Sequence, residues 1–261
     1  MPLESFDRAR IENDLRRGLE REMRIAFQPQ VRLAGGELTG AEALLRWHHP
    51  ERGLVPASQF IGIAEETGLI VQMGQWIIHE ACTLAAQWQE VAGDPVRVAV
   101  NVSARQLGEE RLADDVRSAI ADAGLGNRLL QLEVPHPYVR DGGDAARGAL
   151  AALRDAGAAI MLDAVDPEGE WTRSLEDVAL DAIKLGRELV EALPDEMDAA
   201  RELVDDVRGL GVALVATGVE SQEQLDALRE LGCDFVQGYY IARPLSLMAF
   251  EAMLRGSGFW D

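Results

Sequence analysis

Short apolar runs alternate along this chain with longer amphipathic stretches, and six of the runs carry a single polar side chain. In the first run, residues 40–47, the carboxylate of Glu42 interrupts positions that otherwise read as a strand buried on both faces. The five later runs close on Asn101, Glu133, Asp163, Lys184 and Gln237. An unpaired buried carboxylate costs several kcal/mol, so we expect a cation or a hydrogen-bond donor beside Glu42.

The amphipathic stretches predict helices, and their order along the chain predicts the topology. Helical spacing of apolar residues covers 6–23, 56–66, 71–91, 112–123, 144–156, a stretch that ends near 208, 221–231 and a last stretch from 246. Strands are predicted at 25–33, 38–47, 96–102, 129–134, 159–162, 182–185, 212–216 and 235–236, with a loop at 48–56. The first two strands are joined by a short turn at Gly35-Gly36, so they must be antiparallel neighbours.

Strand and helix then alternate to the end of the chain, which predicts a parallel sheet, and eight strands predict its closure into a barrel. We therefore predict an α/β fold, a TIM-like (β/α)8 barrel with an antiparallel first strand. A length of 261 residues suits one such domain. We assign residues 24–261 to the barrel and residues 1–23 to an N-terminal helix that leads into it. The site of such barrels lies at the carboxyl ends of the strands, where the polar residues above fall.

Composition narrows the possible partners. A formal net charge of −20 makes a nucleic acid polymer an improbable partner, because binding of that kind depends on phosphate neutralisation by Lys and Arg. The two cysteines, Cys82 and Cys233, lie far apart in sequence and indicate neither a disulfide framework nor a thiolate metal site. No apolar stretch approaches the ~18 residues of a membrane span, and the N-terminus lacks the apolar core of a signal peptide. We predict a cytoplasmic location with both thiols reduced.

Short motifs at the predicted strand ends carry a family resemblance. They are Gln28-Pro29, Glu42-Ala43-Leu44-Leu45-Arg46-Trp47, Asn101-Val102-Ser103, Leu132-Glu133, Leu162-Asp163, Lys184, Gly218-Val219-Glu220 and Gln237-Gly238-Tyr239. In these motifs the chain resembles EAL domains, the phosphodiesterases and receptors of the bacterial second messenger cyclic di-GMP. The resemblance runs from about residue 15 to residue 250 and implies the same barrel with one antiparallel strand.

The resemblance implies roles for the polar residues. Glu42, Asn101, Glu133 and Asp163 would supply oxygens to one Mg²⁺ or Mn²⁺, in keeping with the preference of hard cations for oxygen ligands, although no cation is obligatory. The implied catalytic residues are Lys184, beside the attacking water, and Glu42, both regarded as vestigial here. The implied cyclic di-GMP ligands are Gln28, Leu45, Arg46, Asn101, Glu133, Asp163, Glu220, Gln237 and Pro244.

Other positions depart from the family pattern. Ala164 and Thr217 stand where active members have carboxylates that bind a second cation, and Gly186 stands where an Asp follows the lysine. Two-metal hydrolysis relies on a pair of ions to activate the water and clamp the attacking and leaving oxygens. Loss of about 5 kcal/mol of that stabilisation would slow the reaction roughly 10³- to 10⁴-fold. We therefore expect poor turnover.

The loop after Asp163 also departs from the family. Residues 165–171 retain nothing of the family's Phe-Gly-Thr-Gly-Tyr-Ser-Ser run, and His136 replaces the Glu that anchors it. Trp171, in this charged loop, is interpreted as a partner anchor or lid, with plain packing as the alternative.

Three hypotheses follow. The first is a degenerate EAL domain that binds cyclic di-GMP without hydrolysing it and signals to a protein partner or companion domain. The second is a weakly active phosphodiesterase that gives the linear dinucleotide pGpG, and the third is a protein-interaction module without nucleotide binding. A structural reading of the acidic residues also remains open, in which they pair with Arg46 and Lys184 across the barrel mouth.

Overall fold

A computed structural model describes residues 5–92, 94–165, 175 and 178–256. Its helices are α1 (Ser5–Glu22), α2 (Ala57–Thr67), α3 (Leu69–Val91), α4 (Ala104–Leu107), α5 (Leu112–Ala123), α6 (His136–Asp155), α7 (Arg187–Glu191), α8 (Met197–Gly209), α9 (Gln222–Leu231) and α10 (Leu247–Leu254). Its strands are β1 (Met23–Arg32), β2 (Leu38–His49), β3 (Gly53–Val55), β4 (Arg97–Asn101), β5 (Leu130–Pro135), β6 (Ala159–Val165), β7 (Ala182–Leu185), β8 (Ala213–Thr217) and β9 (Phe235–Gln237).

The strands form one sheet that closes on itself. Their order is β1-β9-β8-β7-β6-β5-β4-β2-β3, and β1 also pairs with β2, so β1, β2 and β4 to β9 make an eight-stranded barrel. The strand β1 runs antiparallel to both β2 and β9, whereas β2 and β4 to β9 run parallel to one another. The predicted barrel with an antiparallel first strand is confirmed.

Several predicted elements have different bounds in the structure. The strand β3 lies in the predicted loop at 48–56, where three residues are too few to show a periodicity. The helix α6 begins at His136 instead of residue 144, and Gly143, at a φ of 52°, kinks the helix without ending it. The predicted helix that ends near residue 208 is two helices, α7 and α8, separated by a segment that contains Pro194, whose ring nitrogen cannot donate a helical hydrogen bond.

The apolar core has a layer on each side of the barrel wall. Most buried side chains lie between the barrel and the surrounding helices, as in Phe27, Trp88 and Phe250, whose rings contact one another. A much smaller cluster contains Ala99, Met161, Ala182 and Val215, which belong to four different strands and face the barrel interior. The barrel is therefore stabilised mainly by the packing of helices on its outer surface. Its interior has room for polar groups.

The helix α1 packs on α2 and α3 beside the barrel. Its Ile11 and Leu15 are buried in one cluster with Trp47 and Phe60. The separation of residues 1–23 from the barrel domain stays a prediction. No helix in the ranges given above is long and apolar enough to cross a membrane.

Candidate functional site

Strand register brings the predicted polar residues to one mouth of the barrel. Gln28 lies opposite Glu42 across β1 and β2, Asn101 opposite Glu133 across β4 and β5, and Thr217 opposite Gln237 across β8 and β9. Side chains alternate along each strand, so partners in register point to the same side of the sheet. The carboxyl ends of the parallel strands therefore present a ring of polar groups.

The Lys184 ammonium lies among three carboxylates. Its Nζ donates to Glu133 Oε2 at 2.6 Å and to Glu42 Oε2 at 3.1 Å, and Asp163 Oδ1 lies 3.7 Å from it. Lys184 is 4% exposed and Glu133 1% exposed, so this network is shielded from water. The expected cation beside Glu42 is Lys184, and the predicted pairing of these carboxylates with Arg46 is absent among the described contacts.

Two amides complete the surroundings of Glu42. Asn101 Nδ2 donates to Glu42 Oε1 at 2.7 Å, and Gln237 Nε2 donates to Glu42 Oε2 at 2.7 Å. Gln237 is itself oriented by Gln30, whose Nε2 donates to Gln237 Oε1 at 3.0 Å. Glu42 is thus fixed by donors from three other strands.

The pKa values of the two buried glutamates are shifted in opposite directions. Burial acts to raise the pKa of Glu42, but the charge of Lys184 and the hydrogen bonds from Gln237 and Asn101 outweigh burial and lower it. Burial and the negative charge of Glu42 raise the pKa of Glu133 to about 8, despite the nearby ammonium. The pKa of Lys184 is raised, because the attraction of Glu133, Glu42 and Asp163 exceeds the opposing effect of burial.

The donor set is chemically suited to a hard divalent cation. Carboxylate and amide oxygens are the ligands that Mg²⁺ and Mn²⁺ prefer, and Glu133 Oε1 is buried without a hydrogen-bond partner. A cation would satisfy that oxygen. Within the described residues, however, no three His, Cys, Asp or Glu side chains converge in metal-ligand geometry. Lys184 instead lies within 4 Å of all three carboxylates.

A cavity of about 340 Å³ lies beside this cluster. Its lining includes Leu45, Arg46, Asn101 and Glu65, with apolar side chains of α2 and α3 behind them. Arg46 Nη1 donates to the Leu45 carbonyl at 2.9 Å, and the guanidinium forms no ion pair with any described residue. Its other N–H groups are therefore available to an anionic ligand.

Pro244 and Glu220 lie outside the Lys184 network. Pro244 precedes Leu245, whose backbone exchanges two hydrogen bonds of 2.8 Å with Phe27, so Pro244 lies beside Gln28 of β1. Glu220 is about half exposed and accepts a hydrogen bond of 3.2 Å from Arg187 Nη2. No hydrogen bond joins Glu220 to the cluster in the described part of the chain.

The three positions that depart from the family pattern also lie at the carboxyl mouth of the barrel. Thr217 ends β8 directly opposite Gln237, Gly186 precedes the first residue of α7, and Ala164 lies in β6 next to Asp163. None of the three carries a carboxylate. Residues 166–171 of the altered loop, including Trp171, lie outside the described residues.

Sequence reasoning missed Gln30, which positions Gln237, and Gln106, a buried residue that lines the cavity and forms a capping box with Ser103 at α4. A signal for Gln30 exists, because Gln28 and Gln30 are two residues apart and share one face of β1. The signal for Gln106 is its spacing from Ser103, which matches a capping box.

Comparisons with known proteins identify the family. The EAL domain family matches residues 12–244. The cyclic di-GMP phosphodiesterase NbdA of Pseudomonas aeruginosa is 36% identical over 253 residues, which are 95% of this chain and 32% of that protein. The chain therefore spans about a third of the length of this relative.

Solved structures share the fold. A cyclic di-GMP complex of the PaMucR phosphodiesterase has a TM-score of 0.87 at 33% identity, over 92% of this chain and 99% of that one. The EAL enzyme Bd1971, in a form with bound cAMP and cyclic di-GMP, has a TM-score of 0.89 at 25% identity, over 97% of this chain and 70% of that one.

Proposed function

Because the chain belongs to the EAL domain family, we propose that it binds cyclic di-GMP at the carboxyl mouth of its barrel and acts there as a receptor with little or no hydrolytic activity. It would signal to a protein partner or a companion domain in the cytoplasm.

The observation that carries the proposal is the acidic cluster that the described residues form at this mouth. Its three carboxylates share one ammonium, that of Lys184. The neighbouring strand ends contribute Ala164, Gly186 and Thr217, so they add no carboxylate for a second cation. Phosphodiester hydrolysis by two ions needs ligands for both. The residues support ligand binding better than they support turnover.

The described residues offer suitable contacts for a cyclic dinucleotide. Arg46, without an ion pair in the described structure, can donate a charge-assisted pair of hydrogen bonds to a phosphate. The half-buried Gln28 lies on the same face as Glu42 and can donate through its amide. The cavity beside Arg46 combines apolar walls with the carboxylate of Glu65, which can accept from the N–H groups of a guanine edge.

A divalent cation can assist the binding. Glu42, Asn101, Glu133 and Asp163 would hold Mg²⁺ or Mn²⁺, which would supply positive charge next to the phosphates. Lys184, Arg46 and the cation would then share the neutralisation of the carboxylates and the ligand. No hydrolytic role for the cation is required by the proposal.

The experiment is a calorimetric titration of cyclic di-GMP into the wild-type protein and into Arg46→Ala. We expect saturable binding that Arg46→Ala weakens by about 30-fold, or about 2 kcal/mol, because a guanidinium–phosphate contact is lost. Arg255→Ala, which removes an exposed arginine at the C-terminal end of α10, is the matched control and should bind as the wild type does. Absence of binding, or equal binding by Arg46→Ala, would reject the proposal.

A second candidate is slow hydrolysis with one cation. The observation in its favour is the retained set of Glu42, Glu133 and Lys184, together with the unpartnered Glu133 Oε1 that a cation would satisfy. Chromatography of cyclic di-GMP after long incubation separates the two candidates, because only hydrolysis gives a linear dinucleotide.

A further inference from the structure

A second cavity opens at the opposite, amino-terminal mouth of the barrel. Its volume is about 390 Å³, within the range of roughly 300–1,000 Å³ that is usual for small-molecule sites. Its lining includes Gln30, Arg97, Arg128, Gln131, Asp181 and Phe235. None of these residues is a predicted cyclic di-GMP ligand.

The cavity exists because the side chains inside the barrel are small near its amino-terminal mouth. Interior layers of such barrels are usually packed with branched apolar residues. Here small residues occupy inward-facing strand positions next to Gln131 and Arg97. They are Gly40, Ala159, Ala182 and Ala213. A Cβ at Gly40 would lie 2.7 Å from the Arg97 carbonyl oxygen, so the glycine permits the close approach of β2 and β4.

A buried amide points to a ligand in this cavity. Gln131 is 7% exposed, lines the cavity and makes no side-chain hydrogen bond with any described residue. Gln30 also lines the cavity and uses only its Nε2, in the bond to Gln237, which leaves its Oε1 without a described donor. Both amides therefore have hydrogen-bonding capacity that the protein itself leaves unused.

Three arginines, Arg32, Arg97 and Arg128, lie in the lining of this cavity, in a chain of net charge −20. Arg97 forms no ion pair or hydrogen bond through its side chain with a described residue. Arg128 holds a left-handed φ of 64°, rare outside glycine, and its guanidinium donates to the Ala158 carbonyl at 2.9 Å and to Asp181 Oδ2 at 3.1 Å. Arg32 lies over the Phe235 ring, 5.2 Å from its centroid, and its Nε lies 3.6 Å from Glu37 Oε2.

The carboxylate in the lining does not cancel this charge. Asp181 contacts Arg128 and Arg154 and also accepts from the Ile160 backbone N–H at 2.8 Å. Its charge is thus already shared between two arginines. Arg97 remains as a cation at the entrance of a cavity with apolar walls and two amides.

From these features we propose that the amino-terminal mouth is a binding site for a small organic anion, a carboxylate or phosphate monoester with an apolar body. The oxyanion would accept from Arg97 and from the Gln131 amide, and the apolar body would contact the alanines and Phe235. The site is separate from the Lys184 cluster and does not depend on the binding of cyclic di-GMP.

The test is an NMR titration of the isotope-labelled protein, followed at the Arg97 backbone N–H and the Gln131 side-chain amide. The probes are phenyl phosphate and benzoate, which distinguish a phosphate from a carboxylate ligand, and neutral benzyl alcohol. We expect saturable shifts with at least one anion and none with the alcohol. Arg97→Ala should weaken the binding by about tenfold or more, because a charge-assisted hydrogen bond is lost.

Three further variants complete the design. Gln131→Leu, which replaces the amide with an apolar group of similar size, should also weaken anion binding and should not lower the melting temperature. Arg255→Ala and Arg46→Ala should bind the probes as the wild type does. If Gln131→Leu does not fold, Arg97→Ala, on the exposed rim, still decides the question.

Two classes of result overturn the proposal. One is the absence of saturation by either anion up to about 10 mM, the lower limit of useful affinity. The other is binding that Arg255→Ala weakens as much as Arg97→Ala does, or that depends on Arg46 and not on Arg97. Equal weakening by Arg255→Ala and Arg97→Ala would mean a non-specific charge effect. Dependence on Arg46 and not on Arg97 would mean that the probe binds at the carboxyl mouth.

Discussion

The Lys184 ammonium donates to Glu133 Oε2 over 2.6 Å, inside a barrel mouth where both side chains are almost fully buried. Glu42 and Asp163 contact the same ammonium, so one buried cation faces three carboxylates. Burial and, after it, this excess of negative charge raise the pKa of Glu133. It also makes the cluster a place where an additional cation is stabilised.

Removal of the Lys184 charge should destabilise the protein. Lys184→Met leaves three carboxylates without their shared partner, and breaking a buried ion pair costs about 3–5 kcal/mol. Urea unfolding in EDTA measures the change. As a control, Arg201→Ala removes an exposed ion pair with Glu230 and should change the free energy of unfolding by less than about 1 kcal/mol. Equal stability of Lys184→Met and the wild type would contradict the role of Lys184 as the neutralising group.

The raised pKa of Glu133 predicts a pH dependence of stability. Between the ordinary glutamate pKa of 4.5 in the unfolded chain and a folded pKa of about 8, the folded protein holds a proton that the unfolded chain releases. The contribution of this group to the free energy of unfolding is therefore present below about pH 4.5 and is lost as pH rises toward 8. In EDTA, the free energy of unfolding of Glu133→Gln should fall by on the order of 3 kcal/mol less than that of the wild type between pH 5 and 8.

Urea unfolding of both proteins across that pH range provides the measurement. Histidines and other groups titrate in both proteins, so the difference between the two curves isolates Glu133. Parallel curves would show that Glu133 is ionised throughout the range in the folded protein.

Gly238 should tolerate no side chain. A Cβ there would lie 2.1 Å from the Val219 carbonyl oxygen and 2.3 Å from the Val219 nitrogen, both backbone atoms. Gly238→Ala must therefore shift the backbone next to Gln237, at a cost of about 1–3 kcal/mol or more. The matched control is Gly148→Ala in α6, where a Cβ meets no atom within 4 Å.

The two alanine variants should change stability in opposite directions. Alanine in place of an unconstrained helical glycine stabilises by about 0.5–1 kcal/mol, so Gly148→Ala should raise the melting temperature. Gly238→Ala should lower it and should also weaken cyclic di-GMP binding through the displaced Gln237. A melting temperature for Gly238→Ala at or above that of the wild type would refute the packing argument.

A divalent cation should strengthen cyclic di-GMP binding. Three carboxylates at the mouth repel a doubly anionic ligand until they are neutralised. We expect Mg²⁺ or Ca²⁺ at millimolar levels to tighten binding to EDTA-treated wild type, and Glu133→Gln to reduce that effect. Calorimetric titrations with and without the cation measure it. Equal affinity in all these cases would show that Lys184 and Arg46 provide the neutralisation without a metal.

The sequence was sufficient to predict the barrel and the mouth at which its polar residues meet. Several apolar strands end on one polar group each, and the carboxyl ends of the parallel strands of a barrel lie at one mouth. Glu42, Asn101, Glu133, Asp163, Lys184 and Gln237 do lie together. The partner of each group was not predictable. Whether Glu42 meets Arg46 or Lys184 depends on the register and closure of strands far apart in sequence.

Two other features depended on the closed barrel. Gln30 reaches Gln237 only because β1 and β9 are neighbours, which no local pattern shows. The amino-terminal cavity depends on small residues from different strands that align at one depth. Within the sequence, Ala159, Ala182 and Ala213 are ordinary strand residues, and only the register shows that they leave a space.

The most direct test of the central claim, binding without useful turnover, is chromatography of cyclic di-GMP incubated with a stoichiometric amount of the protein and Mg²⁺ or Mn²⁺. We predict that the cyclic dinucleotide remains intact over minutes, under conditions in which calorimetry shows it bound. Rapid appearance of the linear dinucleotide, abolished by Glu42→Ala, would contradict the claim and identify the domain as an active phosphodiesterase.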